Sequence, residues 1–198
     1  MIWERLIDLD RTITLGLNSL HSPAMDQFWM ALSDKAIWFP AYLIVAVYIF
    51  RQLGRERGLI VVTSVILTVV FCDQVSNLVK LYAERLRPCY DGVMLQNGLH
   101  YPEIRKGFFG FFSGHASNAF GFITCTLLGL RNNRTQRYMG FAIGGYLWAT
   151  LIAFSRVMMG KHFFGDILVG TAFGILAGFL FSWSASWIIR KYYSTEAE

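Results

Sequence analysis

Five apolar blocks, at about 36–50, 58–79, 114–130, 138–154 and 163–189, dominate the chain and are separated by short polar stretches. Blocks this long and this apolar are suited to hydrocarbon rather than to water. In hydrocarbon each backbone N–H and C=O must find a partner inside its own segment, so the blocks are expected to be helices. Charged residues make up 16% of the sequence and apolar residues 55%, against about 25% charged in soluble domains. The expected fold is therefore all-α: an integral membrane bundle of about five to six transmembrane helices. Several blocks fall short of the ~20 residues of a perpendicular span, and their polar-ended flanks extend them. A sixth candidate, 24–33, has Asp26 and Asp34 at its margins and reads as part of an N-terminal interfacial or re-entrant helix.

Near the start, Ile2, Trp3, Leu6, Ile7, Leu9, Ile13, Leu15, Leu17 and Leu20 approximate helical spacing with polar residues between them. That pattern predicts an amphipathic helix lying in the membrane interface; a short helix packed on the domain is the alternative. Glu4, Asp8 and Asp10 interrupt the apolar run, so a cleavable signal peptide is not expected. The chain reads as one membrane-embedded domain, residues 1–198. Within it, 1–34 forms the N-terminal interfacial or re-entrant helices and 81–113 an extramembrane active-site loop. Gly170, Gly174 and Gly178 repeat at intervals of four in the last block, a spacing that permits close helix contact.

Arg51, Arg55 and Arg57, then Arg131, Arg134 and Arg137, then Arg190 and Lys191, lie in loops that an alternating bundle places on one side. The positive-inside rule makes that side cytoplasmic. The expected location is the cytoplasmic (inner) membrane, with 80–113 and 155–162 facing the periplasmic, extracytoplasmic side. A net charge of +5 without a long basic stripe speaks against a nucleic-acid partner. The three cysteines, Cys72, Cys89 and Cys125, show no paired spacing and read as free thiols.

Three polar clusters stand at the ends of apolar blocks: Lys80 with Arg87-Pro88, Ser113-Gly114-His115, and Ser155-Arg156 with His162 and Asp166. If His162 opens the last helix, Asp166 sits one turn on, about 6 Å along the axis. A carboxylate there can take the Nδ1 proton and leave Nε2 nucleophilic; a structural His–Asp pair is the plain alternative. Ser113 and Gly114 at a helix start expose N–H groups to an anion, and His115 beside them can protonate a leaving oxygen. Lys80, Arg87 and Arg156 add cations suited to a phosphoryl transition state, although single interfacial cations often only snorkel. Asp73, within an apolar block, reads as a structural partner for an Arg or Lys before it reads as a substrate contact. The run from Phe108 to Phe112 reads as an interfacial rim or ordinary packing.

These tracts, K-x6-R-P at Lys80–Pro88, Ser113-Gly114-His115, and S-R-x5-H-x3-D at Ser155–Asp166, resemble the signature of the type 2 phosphatidic acid phosphatase superfamily, which includes the vanadium haloperoxidases. The resemblance spans roughly residues 30–190, with Phe112 where the family usually has proline. It implies a lipid phosphate phosphatase acting without metal or other cofactor. His162 would form a phosphohistidine, Asp166 would orient it, and His115 would act as acid and then base. Lys80, Arg87, Ser113, Gly114 and Arg156 would hold the phosphoryl oxygens. The implied partner is a phosphorylated membrane lipid: undecaprenyl diphosphate, lipid A phosphate or a phosphatidate-type lipid. A vanadate-dependent haloperoxidase-like enzyme and a non-catalytic lipid-phosphate binding or transport protein are the other readings. Oligomeric state and lipid preference stay open.

Overall fold

The computed structural model describes residues 2–34, 36–102, 107–133 and 135–193. Arg134 and residues 103–106 of the expected active-site loop fall outside them. Among the described residues the chain is all-helical: α1 (Ile2–Asn18), α2 (Pro23–Ser33), α3 (Phe39–Ala83), α4 (Gly92–Gln96), α5 (Gly114–Leu130), α6 (Met139–Met158) and α7 (Phe164–Tyr193). Of these, α3, α6 and α7 are long and apolar enough to cross a membrane. The 45-residue α3 is two helices in one, because it breaks at Gly54, where φ is 75°. Glycine adopts that conformation without steric cost. The turn is tight enough that a Cβ on Gly58 would lie 3.2 Å from the Cα of Phe50. The loop expected across 51–57 is thus reduced to one residue, and both apolar blocks stay helical to its edges.

Helix α5 occupies the centre. Fourteen of its 17 residues are buried, and it packs against α3, α6 and α7. A helix apolar on all sides belongs inside a bundle. The contact with α7 is a glycine seam: positions for a Cβ on Gly170, Gly174 and Gly178 are taken by the carbonyls of Ser113, Ser117 and Gly121. The four-residue glycine spacing therefore brings the two backbones together, as expected from small residues in membrane helices.

The ends of the bundle differ in character. Arg57 donates to the carbonyl of Tyr193 at 2.6 Å, and Asn133 donates to that of Gln52 at 3.0 Å. The α3 break, the α5–α6 connection and the end of α7 therefore share one end. The opposite end carries residues 84–102 and 107–113 and the α6–α7 turn. There, Arg87 N–H donates to the Phe108 carbonyl at 2.9 Å and Gly110 N–H to that of Arg85 at 2.8 Å, zipping the two sides of the long loop together.

Helix α2 begins at Pro23 with the Ser22 side chain accepting from Met25 N–H, a capped start that proline at the first position favours. Its 11 residues rise about 16 Å, too short to span, and it packs on α6. Helix α1 is inverted relative to a helix on a soluble domain. Thr14 and Asn18 on its inner face are buried, while Ile2, Trp3, Leu6, Leu9 and Ile13 are exposed. An apolar outer face beside a membrane bundle is what an interfacial helix requires.

Gly174→Ala is expected to lower the unfolding midpoint in detergent by an amount equivalent to roughly 1–3 kcal/mol, since the added carbon meets backbone. Gly16→Ala on α1, where a Cβ meets nothing within 4 Å, leaves the midpoint unchanged or raises it. Thermal unfolding followed by circular dichroism checks both.

Candidate active site

The N–H groups at the start of α7 have no backbone carbonyl of their own helix to bond. Asp166 Oδ2 accepts from Phe163 N–H at 3.0 Å, Thr14 Oγ1 from Phe164 N–H at 3.0 Å, and Asp10 Oδ1 from Gly165 N–H at 2.7 Å. Two of these three caps come from α1, about 150 residues away in sequence. His162 precedes the helix instead of opening it, with its N–H donated to the Arg156 carbonyl at 3.2 Å. The His162–Asp166 approach is made between residues i and i+4 as expected, but across a helix cap and not along one helical face.

Asp166 has no exposed surface. Its Oδ1 accepts from Arg85 Nη1 at 2.7 Å, and its Oδ2 lies 3.4 Å from His162 Nδ1. The second distance places the carboxylate beside the imidazole without a hydrogen bond of good geometry. Gly110 closes over the pair: a Cβ there would sit 3.2 Å from Asp166 Oδ2 and 3.6 Å from His162 Nδ1.

His162 is 2% exposed. Burial pushes its pKa well below the usual imidazole value, and the charges of Arg156, Arg87 and Lys80 push it the same way. Those cations come from three separate places in the fold. Arg156 lies buried in the last turn of α6. Arg87 donates from Nε to the Phe109 carbonyl at 3.1 Å, with its guanidinium against Gly107. Lys80 Nζ, at the end of α3, lies 3.4 Å from Ser76 Oγ and 3.5 Å from where a Cβ of Gly114 would be. Ser113 caps α5 by accepting from Ala116 N–H, and its own N–H donates to the Asp166 carbonyl at 3.1 Å. The starts of α5 and α7 are thus pinned together.

His115, in the first turn of α5, places Nε2 3.2 Å from the Ser33 carbonyl. It opens onto a cavity of about 440 Å³ between α2, α3, α5 and α6, which Asp73, Gln74 and Asn118 also line, and which continues past Tyr42, Val65 and Phe122. Asp73 accepts from Asn118 at 3.3 Å and from Asn77 at 3.2 Å. Phe112, at the position of the family's proline, is buried against Phe173 with ring centroids 4.9 Å apart, whereas Phe108 is exposed. The aromatic run is thus part core and part rim.

Among the described residues, one cluster outside this site has metal-ligand chemistry: donor atoms of His21, Asp26 and His100 lie within 4.8 Å of one another. The two imidazoles are stacked, with centroids 3.7 Å apart and planes 7° apart. No single ion can lie in the plane of both rings. His100 Nε2 and Asp26 Oδ2 are instead a hydrogen-bonded pair at 2.9 Å.

The sequence matches the PAP2 superfamily over residues 57–190, a stretch that contains all eight of the site residues named from sequence. The chain belongs to that superfamily. It is 32% identical over 188 residues to a lipid A 4'-phosphatase of Bacteroides thetaiotaomicron, covering 90% of this chain and 77% of that one. A lipid A 4'-phosphatase of Porphyromonas gingivalis is 29% identical over 178 residues, covering 88% and 72%. Among solved structures, the transmembrane PAP2 type phosphatidylglycerolphosphate phosphatase of Bacillus subtilis superposes with a TM-score of 0.73 at 21% identity, covering 93% of this chain and 88% of that one. Aquifex aeolicus LpxE superposes with 0.64 at 20% identity, covering 88% and 93%. The protein is a membrane-embedded PAP2 phosphatase.

Reasoning from sequence missed four polar residues that pack around this candidate site. Arg85 hides inside the K-x6-R-P spacing as an unassigned position. Asp10, Thr14 and Asn18 recur at intervals of four, a polar stripe on an apolar helix that could have marked an inward face. Asn18 donates to the carbonyls of His100, Val157 and Met158, each at 3.0 Å, and accepts from His100 N–H at 2.8 Å. Asn18→Ala leaves these buried groups unsatisfied, and a loss of roughly 2–4 kcal/mol is expected. A lowered thermal midpoint with unchanged helix content at 20 °C would check it, the temperature being a choice of assay.

Proposed function

We propose that this protein is a membrane lipid phosphatase that removes a phosphate monoester from a lipid A-type glycolipid through a phosphohistidine at His162. The observation that carries the chemistry is a buried imidazole under the charge of three cations, Arg156 from its own tract and Lys80 and Arg87 from the K-x6-R-P tract. The substrate class rests on the two lipid A 4'-phosphatases aligned over 90% and 88% of the chain. Undecaprenyl diphosphate and phosphatidate-type lipids share the phosphate chemistry but have no such support.

The reaction follows from the groups present. Neutral His162 attacks phosphorus through Nε2 while the bond from phosphorus to the sugar oxygen breaks. Asp166, beside Nδ1, stabilises the charge that the ring acquires. His115 gives a proton to the departing oxygen, then takes one from water as that water cleaves the phosphorus–nitrogen bond and releases inorganic phosphate. Lys80, Arg87, Arg156, the Ser113 hydroxyl and the Gly114 N–H neutralise the phosphoryl oxygens. The cavity beside His115 receives the leaving lipid. Charge stabilisation in this scheme comes from side chains, so activity is expected to survive EDTA. The single domain works from the extracytoplasmic, periplasmic side of the inner membrane, with the loops that carry Arg51, Arg55, Arg57, Arg131, Arg137 and Arg190 on the cytoplasmic side by the positive-inside rule.

Phosphate release from lipid A, a polyprenyl diphosphate, phosphatidate and phosphatidylglycerophosphate, each with EDTA, tests this reading. Lipid A is expected to be the best substrate, and His162→Ala is expected to lose turnover entirely. A His162→Ala protein with normal turnover would falsify the mechanism. The pH dependence has a definite sign. A histidine whose folded pKa lies below its unfolded value is neutral, and nucleophilic, down to that lower pH. The acid limb of kcat/KM assigned to His162 therefore lies well below pH 6.5. The same residue makes the folded protein less stable as pH falls from the unfolded value through the folded one.

A further inference from the structure

The polar stripe of α1 lies outside residues 57–190, the part that matches the superfamily, yet it reaches the centre of the site. Arg85 links the two. Its Nη1 donates to Asp166 Oδ1 at 2.7 Å and its Nη2 to Asp10 Oδ2 at 2.5 Å. Its guanidinium carbon lies 4.2 Å from the ring centroid of Phe163, the residue after His162. A planar cation held at both ends of its fork and over an aromatic face has one orientation available. Asp10 uses its other oxygen to accept from Gly165 N–H, so one carboxylate fixes both the guanidinium and the first turn of α7.

We propose that Arg85 and Asp10 are a positioning unit for the catalytic pair: Arg85 is the counter-cation that holds Asp166 beside His162, and Asp10 aims Arg85. The proposal rests on the reading of His162 as nucleophile. Asp166 has no surface exposed to solvent, and a buried carboxylate without a partner does not stay charged. The charged groups that influence the His162–Asp166 pair come from several elements: Lys80 on α3, Arg85 and Arg87 on the long loop, and Arg156 on α6. Asp10 on α1 joins them through Arg85 and the Gly165 N–H. Lys80, Arg87 and Arg156 act on the imidazole through their charge. Arg85 is hydrogen-bonded to the far oxygen of Asp166. Arg87 also acts on Asp166 through its charge, but the hydrogen bond to that carboxylate comes from Arg85.

Lysine cannot replace Arg85, because a point charge does not bridge two carboxylates in fixed geometry. Asparagine at position 10 still accepts from Gly165 N–H but no longer pairs with a cation. It tests aim while sparing the cap.

The experiment compares wild type, Asp10→Asn, Arg85→Lys, Arg85→Gln and the Asp10→Asn/Arg85→Gln double variant in detergent. It measures phosphate release from lipid A and orthovanadate binding by tryptophan fluorescence. Arg85→Gln is expected to lower kcat about 10²-fold with KM within about twofold, because misplacing a reacting group costs that much. Arg85→Lys does not rescue it. Asp10→Asn is expected to lose roughly tenfold, the worth of one charge-assisted hydrogen bond. The double variant is no slower than Arg85→Gln, since Asp10 acts through Arg85. Vanadate affinity falls in the same order.

Wild-type kcat in Arg85→Gln, rescue by lysine, or losses that multiply in the double variant would each overturn the proposal. A purely structural role would lower the thermal midpoint and leave kcat per folded molecule intact, which also overturns it. Wild-type protein that neither hydrolyses lipid A nor binds vanadate would remove the His162 reading and this proposal together. Activity and vanadate binding that are equal in all the folded proteins would remove this proposal alone.

Discussion

A carboxylate with no exposed surface has to be held by neighbours, and Asp166 is held from all sides. Arg85 meets one oxygen, Phe163 N–H meets the other, and its backbone carbonyl takes the N–H of Ser113. These contacts join the long loop, the first turn of α7 and the N-terminus of α5. The buried charge is therefore also the junction of the elements that build the site. Such a group gives little net stability, because its desolvation offsets most of the attraction. What it supplies is a unique arrangement, since any other packing of these segments strands a charge in an apolar bundle.

Helix α1 follows from the same constraint. The three N–H groups at the start of α7 lie where water is scarce, and two of them are satisfied by Asp10 and Thr14. A helix that turns its polar stripe inward must leave its apolar side outward, and Trp3 is 78% exposed. In water such a surface would drive association. Beside a membrane bundle it fits the reading of α1 as an interfacial helix. Arg11 adds a lateral tie, donating to Asp91 Oδ2 at 2.8 Å while Asp91 Oδ1 caps α4.

Much of this was legible in the linear chain. The apolar blocks predicted the bundle, and the structure follows them closely even where the loop at 51–57 collapses to the single break at Gly54. The glycine repeat in the last block predicted the close seam with its neighbour, now seen at α5. The inventory of Lys80, Arg87, Arg156, His115, His162, Ser113, Gly114 and Asp166 pointed to phosphate before any coordinates. Helical register was less dependable. Spacing of four suggested His162 and Asp166 on one helix face, but the helix starts only at Phe164, so His162 is presented by the preceding turn.

Sequence by itself determined the solvent of the protein and the chemical types it could bring to a phosphate. Both are local properties: apolarity accumulates along a segment, and a motif carries its residue types wherever it folds. Tertiary structure alone decided which groups meet. Arg85 and Asp166 are 81 residues apart, and Asp10 and Gly165 are 155 apart. A stripe such as Asp10-Thr14-Asn18 marks a face but not its partners, because these are selected by the unsatisfied charges and N–H groups that appear only once helices have packed. The same reason explains α1, whose amphipathic pattern was plain but whose inward face was chosen by the donors waiting at the start of α7.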